Sequence, residues 1–266
     1  MTHDLTPVTP VTPAVTLAAS PDATLAAFVA RARAEPSVLG LVLSGSQVHD
    51  GMPTGHSDHD LHVVTRDEGP SPLHELDGFR SAHLDLVVLT LAEFRVRGMP
   101  GPESWSRYAY TRARVLFDRL DGGIGEILDR KRRLDPDEAR RAVDGYLDAY
   151  VNQTYRSLKS HRDGRAELAH LDAAESVPFA LEVIFALHRR VRPYNKYLGW
   201  ELDRHPLDDP RWAADRLLPV LRRILADGDQ DTQRALFTEI ERTAREAGHD
   251  AVLDSWGADL ELLRTR

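Results

Sequence analysis

LVLSGSQVHDGMPTGHSDHDLHVVT, Leu41–Thr65, is the stretch on which the reading of this chain turns. An apolar run ends in Ser44-Gly45-Ser46. A loop of small and polar residues follows, and then Asp58 and Asp60 open a second apolar run. Strand side chains alternate between faces. Asp58, Asp60 and His62 therefore share one face, and His59, Leu61 and Val63 the other. The leucine and valine are expected to pack inward, with the two aspartates together at the strand's start. Two carboxylates that close need a cation between them, or one of them stays protonated.

Asp85 lies inside a further apolar run, LDLVVL, from Leu84 to Leu89. A charge there is costly unless it joins the same site. A hard divalent cation on oxygen ligands, with substrate phosphates completing its shell, is the simplest answer, and Mg²⁺ is the usual choice. Three carboxylates on neighbouring strands can hold two such ions, one activating an attacking oxygen and one stabilising a leaving oxygen. Upstream, a helix starting at about Gln47 would aim backbone N–H groups at whatever lies in front, which suits phosphate. Glycine admits a close approach of the backbone there, and the Ser46 hydroxyl can donate. Each piece has a plain alternative: a common Gly-Ser turn, an Asp-x-Asp cap, an Asp85 paired with an arginine. Their joint order points to a metal-dependent phosphate site.

Composition sets the frame. The 266 residues suffice for one large domain or two small ones. A net charge of −8 argues against a general nucleic-acid surface, which is normally basic. With no cysteine there is no disulfide, thiolate metal site or cysteine nucleophile. No apolar run approaches the length of a membrane span, and the first residues lack the pattern of a signal peptide. The expectation is a cytoplasmic protein without a membrane role.

Along the chain, TPVTPVTPAVT (Thr6 to Thr16) is a near-repeat of Thr-Pro-Val that forbids helix, so residues 1–19 are expected to form a disordered Thr/Pro-rich tail. Ser20-Pro21-Asp22 is a helix start, and Glu35-Pro36 stops that helix after Ala34. Strands are predicted at Val38 to Leu43, His59 to Thr65, Leu84 to Leu89 and Arg114 to Phe117, with short helices at Leu91 to Arg97 and Glu103 to Thr111. Beyond Gly122-Gly123 the pattern is helical. The basic run Arg130–Arg133 suits the C-terminus of one helix, and Asp135-Pro136-Asp137-Glu138 the start of the next. Apolar residues recur at helical spacing from Ala139 to Leu158. Val177 to Val191 reads as a central buried helix, and amphipathic segments cover Trp212 to Ala226 and Thr232 to Ala247, with a last helix from Asp250. The predicted fold is an α+β domain over residues 20–125, a short mixed sheet flanked by helices, followed by an all-α helical bundle over 126–266.

Gly45-Ser46, eleven residues, Asp58-His59-Asp60-Leu61 and then Asp85 together resemble the DNA polymerase beta-type nucleotidyltransferase superfamily, most closely its small antibiotic-modifying (aminoglycoside-type) members with a helical C-terminal domain. The motif resemblance covers roughly Val38 to Leu89. It implies that Gly45 and Ser46 hold nucleotide phosphates, with Ser57 counted on the nucleotide side. It further implies that Asp58, Asp60 and Asp85 hold two Mg²⁺ ions and serve catalysis. His59 departs from the family's usual aliphatic residue. The implied reaction moves AMP from ATP to a hydroxyl acceptor such as an aminoglycoside-like small molecule and releases pyrophosphate. A carboxylate near the cleft deprotonates the acceptor in related enzymes, a role that would fall on Glu103, with Trp105 stacking on the acceptor. Arg192-Pro-Tyr-Asn-Lys-Tyr-Leu-Gly-Trp-Glu-Leu resembles a segment of uncharacterised nucleotidyltransferases, and Lys196 would reach across the cleft to the triphosphate. Asn195 and Arg192 would assist it. Helical second domains in such enzymes often mediate homodimers, by analogy.

Three other readings compete. His56, His59 and His62 suggest zinc, but gaps of three do not put them on one strand face. Arg156 and His161 form an Arg-x₄-His pattern known from helical ribonuclease domains, yet lie five apart on a helix. An antitoxin-like nucleotidyltransferase module acting through a protein partner would need no turnover at all.

Overall fold

The computed structural model describes Val15, Leu17, Ala18 and residues 20–264. The Thr/Pro-rich tail thus lies outside the described residues, apart from three positions. Of these, Val15 packs on the first core, and the Ala18 N–H donates to Thr24 Oγ1 at 2.9 Å. The chain divides into two compact units, Met1–Arg132 and Arg133–Arg266. The first is α+β and the second all-α, the architecture the sequence pattern predicts.

In the first unit, α1 (Pro21–Ala34) starts as its capping signal dictates, with the Ser20 hydroxyl accepting from the Ala23 N–H. It lays Phe28 and Ala32 on a four-stranded sheet. The strands are β1 (Val38–Ser44), β2 (His59–Thr65), β3 (Leu84–Thr90) and β4 (Arg114–Asp118), in the order β3-β2-β1-β4. β1 pairs antiparallel with β2 and β4, whereas β2 and β3 run parallel. One face presents Leu41, Leu43, Leu61, Val63, Leu84 and Leu86 to α1. The other presents Val42, Val64 and Leu89 to Phe94, Tyr110, Ile124, Ile127 and Leu128. Burial on both faces explains why these strands read as near-continuous apolar runs.

That second face is covered by α2 (Leu91–Val96), α3 (Tyr108–Thr111) and α4 (Gly123–Arg132). The single helix expected over Glu103 to Thr111 is instead a 3-10 turn, Ser104–Ser106, followed by α3. The basic run does end a helix, as expected, but Lys131 is fully buried. Its Nζ donates to the carbonyls of Arg95 and Arg97, the unpaired end of α2, and lies over the rings of Phe94 and Tyr110. Burial, then the nearby Arg107, pushes the Lys131 ammonium down to about 8.

The second unit begins with α5 (Pro136–Arg162), capped by Asp135, whose carboxylate accepts from the Glu138 N–H at 2.8 Å. Its buried stripe, Ala139, Val143, Leu147, Tyr150, Val151, Thr154 and Leu158, follows the predicted spacing except for Tyr146, which stays partly exposed. α6 (Ala166–Leu187) starts well before the predicted Val177 and carries Pro178 in its interior. It stops before Val191, where Arg189 takes a left-handed φ of 56°. α7 (Leu198–Arg204), α8 (Ala214–Asp227), α9 (Gln230–Glu246) and α10 (Asp250–Asp254) complete the unit. Its core centres on Tyr150, Ile184, Phe185, Trp212, Phe237 and Ile240. Two buried polar pairs cross this core: Gln233 donates to Ser157 Oγ and the Gly228 carbonyl, and Arg190 bonds the buried Glu201. No helix among the described residues is long and apolar enough to cross a membrane.

Candidate functional site

Sheet register builds the site. Ser44 of β1 is paired with Asp60 of β2, and Asp60 with Asp85 of β3. Residues in register share a face, so one hydroxyl and two carboxylates form a row across three strands. The row lies where β1 ends and where β2 and β3 begin. Asp58 directly precedes β2.

Beyond Ser44 the chain turns at once. Gly45–Val48 is a four-residue 3-10 turn rather than an α-helix starting at Gln47. Gly45 has φ +70°, and a Cβ there would fall 1.7 Å from Asp60 Oδ2. Glycine is thus required twice, by the left-handed backbone and by the carboxylate packed against it. His49 secures the turn. Its Nδ1–H donates to the Gly45 carbonyl at 2.7 Å, and its Nε2 stands 3.2 Å from the Tyr108 hydroxyl. A carbonyl only accepts, so Nδ1 carries the donating proton, and in the neutral ring Nε2 accepts a hydrogen bond from the tyrosine hydroxyl. Arg114, at the start of β4, donates to the Gln47 carbonyl at 2.7 Å and adds a cation beside the turn. Neither His49 nor Arg114 stands out in the sequence; a histidine four residues after the glycine is the one available signal.

The other predicted residues fall as follows. Ser57 closes a turn with Thr54, its Oγ accepting from the Thr54 N–H at 2.9 Å. Asp85 Oδ2 lies 3.3 Å from Nε of the exposed Arg80, so the plain alternative of an arginine partner is also met. Glu103 is engaged by Arg97, Nε to Oε2 at 2.9 Å, and Trp105 beside it is 70% exposed. Lys196 belongs to the helical unit, where its Nζ lies 4.8 Å above the Tyr197 ring. Arg192 donates there to Asn195 Oδ1 at 2.9 Å. His56 is exposed, and His59 points to α1, 3.5 Å from Asp22. The three histidines do not form a zinc set.

His62 shares the face of Asp60 and is buried. Its Nε2 lies 3.0 Å from Ser44 Oγ, and its ring sits 4.8 Å from that of Tyr110. Burial first, then the charges of Arg97 and Lys131, push the imidazole down to about 4. It is therefore neutral at pH 7 and ties the hydroxyl of the row to the sheet.

Among the described residues no group of three or more His, Asp or Glu side chains forms a ready metal cage. Mg²⁺ does not need one, since it is commonly held by one or two carboxylates with phosphate oxygens and waters filling the octahedron. Adjacent carboxylates beside a serine hydroxyl are a hard, all-oxygen donor set of that kind.

No family model matches the chain. No curated protein matches it. Among solved structures, a nucleotidyltransferase-like protein from Exiguobacterium sibiricum 255-15 is similar at a TM-score of 0.44 and 13% identity, over 91% of this chain and 78% of that chain.

Two outcomes follow from this geometry. Gly45→Ala is expected to cost about 1–3 kcal/mol in urea denaturation. Gly51→Ala, at a positive φ with open space around it, should cost less. Adding Asp60→Ala should recover part of the Gly45→Ala loss; equal costs at 45 and 51 would contradict the contact. For His62, the folded value lies below the unfolded one. Its contribution is therefore present above pH 6.5 and lost as pH falls toward 4, a total of about 3 kcal/mol. Without added metal, His62→Gln should flatten that part of the stability profile between pH 7 and 4; parallel profiles would contradict the assignment.

Proposed function

We propose that the chain is a nucleotidyltransferase that moves a nucleoside monophosphate from a nucleoside triphosphate to a hydroxyl acceptor. The observation that carries this reading is the row Ser44, Asp60, Asp85 with the Gly45 turn packed against the Asp60 carboxylate. Such a row sets the Gly45 turn beside two carboxylates, the arrangement that the resemblance to the polymerase beta-type superfamily calls for. Mg²⁺ held by Asp58, Asp60 and Asp85 would supply positive charge to the triphosphate and acidify the acceptor hydroxyl. Gly45 lets the backbone approach the phosphates, and Ser46 donates to them. Asp85, in register with Asp60, would take the acceptor proton once a cation displaces the exposed Arg80, whereas Glu103 pairs with Arg97. The acceptor oxygen attacks the α-phosphorus, the bond to the β-phosphate oxygen breaks, and pyrophosphate leaves.

ATP is the proposed donor. A polyhydroxylated cationic small molecule of aminoglycoside type is the proposed acceptor, favoured by the net charge of −8. A cytoplasmic setting, where ATP and Mg²⁺ are both present, suits the reaction. A second reading has a specific observation behind it. The Arg80–Asp85 ion pair already neutralises one carboxylate, as it would in a non-catalytic, antitoxin-like module that acts through a protein partner.

Calorimetric titration with ATP, GTP, CTP and UTP, with and without Mg²⁺, separates the two. The enzyme reading predicts Mg²⁺-dependent binding of at least one nucleotide, a loss of about a hundredfold or more in Asp58→Ala/Asp60→Ala, and pyrophosphate release with an acceptor panel. No binding, together with a partner that co-purifies in stoichiometric amount, would favour the module.

A further inference from the structure

The helical unit contains a groove of about 260 Å³ between α6 and α8. Its walls are Ala174, Pro178 and Leu181 on α6 and Leu218, Leu221 and Leu225 on α8. The spacing on α8 is that of one helix face, yet Leu225 stays 51% exposed. Two arginines stand among these apolar residues. Arg192 is tied by Glu182 at 3.4 Å and by Asn195 at 2.9 Å, but its Nε is buried with no hydrogen-bond partner. Arg222 lines the same groove and forms no ion pair or hydrogen bond with the described residues.

The chain carries 42 acidic and 34 basic residues, yet the Arg222 guanidinium beside this groove is left without a carboxylate. About half of the described arginines of this unit pair with a carboxylate, among them Arg190, Arg211, Arg223, Arg242, Arg245 and Arg264; Arg222, exposed at the groove, does not. Arg222 therefore offers a charge that an incoming anion can use. The planar fork matches a carboxylate. An apolar cavity of about 150 Å³ accommodates benzene, so this groove takes a larger body, a fused pair of rings or a medium-length chain. Few convergent polar groups in an otherwise apolar concavity are what small-molecule sites have.

We propose that the α6–α8 groove is a binding site for a small organic carboxylate, with its apolar body between the leucines and its carboxylate on Arg222. This site stands apart from the nucleotidyl-transfer reading and does not depend on it.

The test is calorimetric titration of the full chain with 1-naphthoate and with the neutral 1-naphthalenemethanol. Saturable one-to-one binding of naphthoate is expected, with the alcohol about tenfold weaker or more. Arg222→Gln should bring naphthoate down to the level of the alcohol. Leu225→Glu, at an exposed rim position, should weaken naphthoate further while leaving the circular dichroism unchanged. Absence of naphthoate binding, or binding that neither substitution alters, would overturn the proposal. So would self-association in sedimentation velocity that Leu225→Glu abolishes, since the occupant would then be a second copy of the chain.

Discussion

Asp60 places its carboxylate in the space that a side chain at position 45 would fill. That contact depends on two others. The antiparallel register of β1 and β2 must bring Ser44 opposite Asp60, and the chain must leave β1 with a left-handed residue. A slip of one residue would move Asp60 to the α1 face, into the core built on Phe28 and Leu61. Apolar burial on both faces therefore sets the register, and the register sets the row of oxygen ligands. The site is a consequence of how the sheet packs.

The groups around the row are arranged to hold it still. His49 fastens the Gly45 carbonyl, and the buried neutral His62 holds Ser44. Lys131 closes the carbonyl end of α2, on the helix layer that covers the same face of the sheet. Buried polar groups that are satisfied rigidify their surroundings, and a binding site gains from that rigidity. Arg80 is the exception. It is exposed and pairs with Asp85 at the edge strand, so a competing cation can displace it at little cost.

Much of the fold was legible because alternation and capping are local. The four strands and the start of α1 follow from residue type and spacing alone, as do the Asp135 cap and the α5 stripe. The shared face of Asp60 and His62 followed from period two. What stayed hidden depends on contacts distant in sequence. Nothing local says that Arg80 will meet Asp85, that Arg114 will reach the Gln47 carbonyl, or that one lysine of a basic run will be buried. The kind of turn after Ser44 is not legible locally, because a four-residue 3-10 turn and the first turn of an α-helix begin with the same residues. The groove on the second unit was invisible, since leucines at helical spacing ordinarily signal a filled core.

Whether the row binds a divalent ion is the central point, and paramagnetic broadening locates it directly. Mn²⁺ and a non-hydrolysable ATP analogue would be added to the isotopically labelled chain, and amide signals followed during the titration. Signals of Gly45, Ser46, Asp60 and Asp85 are expected to fade first, and Asp60→Asn to remove this pattern. Broadening centred elsewhere, or unchanged in Asp60→Asn, would contradict it.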